Sequence, residues 1–105
     1  MLRIYDVLLE GVRALKPFLD RVAQHDADLA RQGRRALASA PLNVAEGSVS
    51  RGRNRGARYH SAAGSVREVI ACIEVATALG YVESFDPVLL NTLHKIVATL
   101  RKAAL

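Results

Sequence analysis

The residues with the most chemistry to offer are arginines. Arg51, Arg53, Arg55 and Arg58 fall within eight consecutive positions, and Arg31, Arg34 and Arg35 precede them. A guanidinium is planar, always charged and shaped to grip phosphate or carboxylate through two parallel N–H donors. From Arg31 through Arg67 the chain holds eight arginines and one acid, Glu46, a net +7. The remaining residues carry seven basic and nine acidic side chains, a net −2, and the whole chain is +5. Two readings follow. The seven arginines from Arg31 to Arg58 are candidate contacts for RNA or DNA phosphates. Alternatively they form a solvated face, or pair with acids of this chain, a neighbouring copy or a protein partner.

Other reactive side chains are poorly placed for catalysis. Glu46 would need a nucleophile or a second acid at a telling distance to act as a general base, and none is spaced that way. Its expected role, shared with Asn43, is to satisfy backbone groups near Pro41 or to pair with Arg35 or Arg67. His25, His60 and His94 form no HxxxH or HExxH pair, and Cys72 has no histidine one turn away, so neither a metal nor another cofactor is expected. The Gly47–Gly56 segment lacks the GxxxxGK[ST] phosphate loop and no strand precedes it, which argues against nucleotide hydrolysis. No enzyme is expected. A single cysteine excludes an internal disulfide and suits a reducing cytoplasm. The longest apolar run, Val69 to Val82, contains Glu74 and is too short to cross a bilayer.

The elements that carry these residues follow from apolar spacing. The 105 residues form one domain, 1–105, half apolar but with only five aromatics. Ala, Leu and Val dominate, a composition suited to packed helices. Ile4, Val7/Leu8, Leu15, Phe18/Leu19 and Val22 recur at steps of three and four, predicting a helix from about Arg3 to Gln24. Pro17 bends it mildly. Asp26 caps a second helix whose inner stripe is Leu29, Gly33, Ala36/Leu37, Ala40 and Val44. Pro41 lies inside it, where the missing N–H frees the carbonyl of Leu37 and kinks the helix, which reaches Glu46 or slightly beyond.

A third helix is expected from Asn54, acting as its cap, to Leu79, with Tyr59, Ala62/Ala63, Val66, Val69/Ile70 and Ile73 inward. Gly80 supplies the left-handed residue that ends it. Asp86-Pro87 starts a fourth helix, cap then proline, running to about Lys102. Strands are nowhere evident. The fold class is all-α: an antiparallel up-down-up-down four-helix bundle, its second helix kinked at Pro41.

Three motifs resemble a known family. Ser39-Ala40-Pro41-Leu42-Asn43-Val44-Ala45-Glu46-Gly47 is similar to the Ser-x-Pro-Ser-Asn-Ile-Ala-Glu-Gly signature of four-helix-bundle proteins encoded in intervening sequences of 23S ribosomal RNA genes. Ala62-Ala63-Gly64-Ser65-Val66-Arg67-Glu68 resembles its Ala-x-Gly-Ser-x-x-Glu run, and Ala76-Thr77-Ala78-Leu79-Gly80-Tyr81 its Ala-x-x-Leu-Gly-Tyr ending. The likeness covers nearly the whole chain. It marks Pro41, Asn43, Glu46, Gly47, Gly64, Ser65, Glu68 and Gly80 as structural positions. It implies a ring-shaped homopentamer without a defined biochemical activity. A related branch, the accessory proteins of diversity-generating retroelements, implies contact with nucleic acid and with a larger ribonucleoprotein partner. The chain departs from the pattern at Leu42, at Ser61, and at the arginine-rich start of the third helix. The functional expectation is a cytoplasmic, non-enzymatic oligomer that binds RNA or DNA phosphates.

Overall fold

A computed structural model describes residues 2–105, with side chains from Arg3 onward. Four helices follow one another: α1 (Leu2–Ala23), α2 (Ala27–Val49), α3 (Arg53–Ala78) and α4 (Pro87–Ala103). No strand occurs among the described residues. Successive helices pack side by side as an antiparallel bundle 43 Å long, with α2 against α3 the most extensive pairing. The chain is an all-α four-helix bundle. α1 and α4 each lie on the α2–α3 hairpin and touch one another only slightly. A cleft of about 640 Å³ separates the start of α1 from the end of α4, lined by Ile4, Val7, Tyr59, Ile96 and Leu100.

The core is built from the apolar stripes. Leu8, Leu15, Phe18 and Val22 from α1 meet Ala30, Leu37, Ala40 and Val44 from α2. Val66, Val69, Ile70 and Ile73 from α3 and Leu93, Ile96 and Leu100 from α4 complete it. No polar or charged residue is buried among those described. Pro17 and Pro41 both lie within helices that continue past them.

Small residues set the closest approaches. A Cβ at Gly33 would come within 2.8 Å of Leu19 Cδ2 and 3.3 Å of Cys72 Sγ. At Gly47 it would strike the Tyr59 ring at 2.5 Å. These two glycines let α2 settle onto α1 and α3. Cys72 is buried, its thiol 3.6 Å from the Leu29 carbonyl, and burial pushes that thiol above its ordinary pKa.

One end of the bundle is tied by the α3–α4 connector. Gly80 has φ +78°, and its N–H donates to the Thr77 carbonyl while Tyr81 N–H donates to Ala76. That pair of bonds is the Schellman ending of a helix, which needs a residue tolerant of positive φ. Tyr81 then stacks on His25, centroids 5.3 Å apart, and its hydroxyl donates to Asp26 Oδ2 at 3.2 Å. Phe85 meets Phe18 edge-on at 5.0 Å. Asp26 Oδ1 accepts the Leu29 N–H, and Asp86 Oδ1 accepts that of Val88. Both aspartates are the caps expected.

The start of α3 differs from expectation. Asn54 lies inside the helix, and the cap position belongs to Gly52, at φ +57° with no side-chain capping bond. The chain must reverse within three residues of Val49. A glycine makes that left-handed turn without strain, so the helix begins earlier than the asparagine suggests.

Candidate nucleic-acid interface

The α2–α3 turn places Arg51, Arg53 and Arg55 at the end opposite Tyr81, all exposed. Arg55 Nε donates to the Ser50 carbonyl at 3.0 Å, which steadies the turn. Arg58, one turn into α3, reaches back to α2, its Nη1 3.4 Å from Asn43 Oδ1. Neither Arg51 nor Arg53 has a side-chain hydrogen bond or ion pair among the described residues. Gly56 lies so close to α4 that a Cβ there would be 2.7 Å from the Ala104 carbonyl. The last turn of α4 therefore adds Arg101 and Lys102, both exposed, to the same end of the molecule. In the last turn of α4 the two also complement the helix dipole. Their nearness to the turn is a tertiary fact with no local signal.

The seven candidate arginines do not form one patch. Arg31, Arg34 and Arg35 lie fourteen or more residues before Val49 on a continuous α2, so about 20 Å separates them from the turn at 1.5 Å per residue. Two of the three are engaged by acids of this chain. Arg31 pairs with Asp28 one turn back. Arg34 crosses to α1, with Nη2 2.8 Å from Asp20 Oδ1, while Lys16 holds Oδ2 at 2.9 Å. Those hydrogen bonds, Lys16 foremost and then Arg34, hold the Asp20 carboxyl below the usual carboxylate range. Arg35 is exposed beside a depression that it shares with Ser39, Ser65 and Glu68.

The motif residues gather along the α2–α3 seam. Asn43 Nδ2 donates to the Ser39 carbonyl at 3.0 Å and lies 3.1 Å from Ser39 Oγ. Ser65 Oγ donates to that same Ser39 Oγ at 2.9 Å. A polar chain Arg58–Asn43–Ser39–Ser65 thus ties the two helices beside Pro41. Glu46 does not join it. Its side chain is exposed, and no hydrogen bond or ion pair reaches its carboxylate among the described residues. The expected pairing with Arg35 or Arg67 is absent among the described residues: Glu46 lines an open depression with Arg35 and Arg58 but bonds to neither, and Arg58 turns to Asn43. Among the described residues no three His, Cys, Asp or Glu side chains group as metal ligands, and no helix is long and apolar enough to cross a membrane.

A family model described as 23S rRNA-intervening sequence protein matches residues 12–102. The chain belongs to that family. The match takes in all three motifs and all but the first half of α1 and the last residues. Neither a curated protein nor a solved structure matches the chain. Within this member of the family, Ser39, Asn43 and Ser65 join α2 to α3, Gly47 seats Tyr59, and Gly80 releases Tyr81 to Asp26.

Proposed function

We propose that this 23S rRNA-intervening sequence protein is a non-enzymatic, self-associating bundle that holds RNA or DNA by its phosphates, in the cytoplasm and as an accessory to a larger ribonucleoprotein. The observation that carries the reading is the turn itself: Arg51, Arg53 and Arg55 stand exposed, with no acid among the described residues paired to them. The uncapped first turn of α3 adds partial positive charge, and Arg101 and Lys102 extend the cationic end. Phosphate oxygens are the natural complement of such a surface. Tyr59, the tyrosine nearest these arginines in sequence, is buried and offers no face on which a base could stack. Binding through phosphates alone carries little sequence preference. The homopentamer implied by the motif resemblance would repeat the cationic end fivefold, and weak contacts would then add.

The test is a salt titration of RNA and duplex DNA binding, by wild type and by the Arg51→Gln/Arg53→Gln/Arg55→Gln variant. The logarithm of the affinity should fall linearly with log salt, at a slope of about −0.9 per duplex phosphate neutralised. The variant should bind weakly with an unchanged slope per remaining contact, and light scattering should give it the wild-type mass. Failure of the wild type to bind any RNA or DNA at low salt overturns the reading.

A second reading has its own support, because Arg31 and Arg34 already grip carboxylates. In it the arginines are assembly contacts, to a neighbouring copy or an acidic protein. Charge reversal at the turn would then change the mass in solution, and not nucleic-acid affinity alone.

A further inference from the structure

The cleft between the start of α1 and the end of α4 carries a polar group that the bundle itself does not use. Its walls are Ile4 and Val7 from α1 and Ile96 and Leu100 from α4, and Tyr59 of α3 completes the lining. Tyr59 is only 5% accessible. Gly47 presses on one edge of its ring, so the side chain is held in place. Yet its hydroxyl has no hydrogen-bond partner among the described residues, although it is not sealed from solvent. A buried phenol ordinarily finds a partner for its O–H. Packing within the chain needs the ring and gives no reason for the oxygen, since phenylalanine would fill the same space.

The charge around the cleft has one sign. Arg3 and Lys95 are its charged lining residues, both exposed and neither in an ion pair among the described residues. Apolar walls with cations at the rim and one fixed O–H donor inside complement a hydrophobic anion. Size narrows the class. Along α4 the lining runs from Thr92 to Ala103, about 16 Å at 1.5 Å per residue. A volume of about 640 Å³ over that length makes a channel about 7 Å across, too narrow for a helix about 10–12 Å wide. A single extended alkyl chain fits, and at about 1.2 Å per bond the length takes about a dozen carbons.

The geometry points to a binding site for a single-chain fatty carboxylate, its head at Arg3 and the Tyr59 hydroxyl and its chain laid along Val7 and Ile96. Register places the head. Gly56 lies against Ala104, and α3 runs antiparallel to α4, so Tyr59, three residues on, is level with the Leu100 turn. The first turn of α1, with Arg3, lies at that same end. The Tyr59 O–H donates to one carboxylate oxygen, and the Arg3 guanidinium donates to the head from the rim. Lys95, more than a turn further along α4, lays its methylenes over the chain and keeps its ammonium in water. A ligand seated this way joins α1 to α4, which touch each other only slightly.

The test is calorimetric titration of the full chain with dodecanoate, below its micelle concentration, with dodecanol as the neutral probe. Dodecanoate should saturate at a single molecule per chain, and dodecanol should bind about tenfold or more weakly, because it lacks the charged head. Tyr59→Phe should lower dodecanoate affinity by about tenfold with unchanged thermal unfolding, since the oxygen it removes has no partner in the chain. Arg3→Gln should lower it too. Thr99→Leu, which adds bulk to the α4 wall, should abolish binding. The Arg51→Gln/Arg53→Gln/Arg55→Gln variant should bind dodecanoate as wild type does, which separates the cleft from loose capture at the cationic turn. A wild type that binds no dodecanoate, as when another chain covers the cleft, overturns the inference. So does equal affinity for dodecanol, or wild-type affinity in both Tyr59→Phe and Thr99→Leu. None of these results bears on the nucleic-acid reading, which stands on its own assay.

Discussion

At the scale of single residues, three glycines inside helices separate three physical demands. Gly47 is pressed against the Tyr59 ring, whose Cε1 and Cδ1 would lie 2.5 and 2.7 Å from a new Cβ. A buried aromatic ring cannot swing aside, and overpacking of this kind costs about 1–3 kcal/mol. Gly33 faces the tip of Leu19, a flexible end that can move. Gly64 faces open space. Replacing glycine by alanine in a helix gains about 0.5–1 kcal/mol where nothing opposes it. Urea unfolding in dilute solution should therefore order the alanine variants: Gly64→Ala above wild type, Gly33→Ala near it, and Gly47→Ala below it by about 1–2 kcal/mol. A Gly47→Ala protein as stable as Gly64→Ala would mean that Tyr59 is not fixed by its neighbours.

At the scale of elements, Asp26 serves two at once. One carboxylate oxygen caps α2, and the other accepts the hydroxyl of Tyr81 from the α3–α4 connector. Asp26→Ala should cost about 1–2 kcal/mol for the cap alone, and Tyr81→Phe should cost less, since it removes one hydrogen bond. The double variant should cost less than their sum, because both remove one contact. Burial first, and the Asp26 hydrogen bond second, raise the Tyr81 hydroxyl pKa above the ordinary tyrosine value. The folded chain thus holds that proton more tightly than the unfolded chain. Its contribution to stability is intact below the unfolded value, about 10, and fades as pH rises through the folded one. Alkaline titration of the tyrosine absorbance should show a late-ionising component that Tyr81→Phe removes and that Asp26→Asn brings partly back. Such ends were legible in the sequence because their signals are local: aspartate before the helix, proline at its first position, glycine after it. Asn54 misled because the reversal after Val49 needs positive φ, which outweighs a capping side chain. The apolar stripes likewise foretold the core. The site was less legible. One cationic stretch of sequence splits into two arginine groups about 20 Å apart along α2, Arg101 and Lys102 arrive by tertiary packing, and Glu46 finds no partner among the described residues.

At the scale of the whole molecule, the bundle is asymmetric in how its helices hold one another. α2 and α3 share the longest seam, joined by apolar contacts and by the Arg58–Asn43–Ser39–Ser65 chain. α1 and α4 lean on that hairpin and scarcely on each other, with the cleft at Ile4, Val7 and Leu100 between them. The opposite end of α1 is better held, by the Phe18–Phe85 contact and the Arg34–Asp20 bridge. Local opening follows the density of such contacts. Amide hydrogen exchange, measured in dilute solution, should be slowest through residues 36–44 and 62–73 and approach the global unfolding free energy there. The first two turns of α1 and the last of α4 should exchange fastest within helices, and nearly independently of each other, because each can lift without disturbing the other. Filling the cleft should couple them. Thr99→Leu places an apolar side chain on the α4 wall of that cleft, and it should slow exchange at both rims together. If the two rims already exchange in step in the wild type, the weak α1–α4 seam is not the soft part of this fold. Slow exchange at the rims and fast exchange at the hairpin would invert the hierarchy of contacts that the bundle displays.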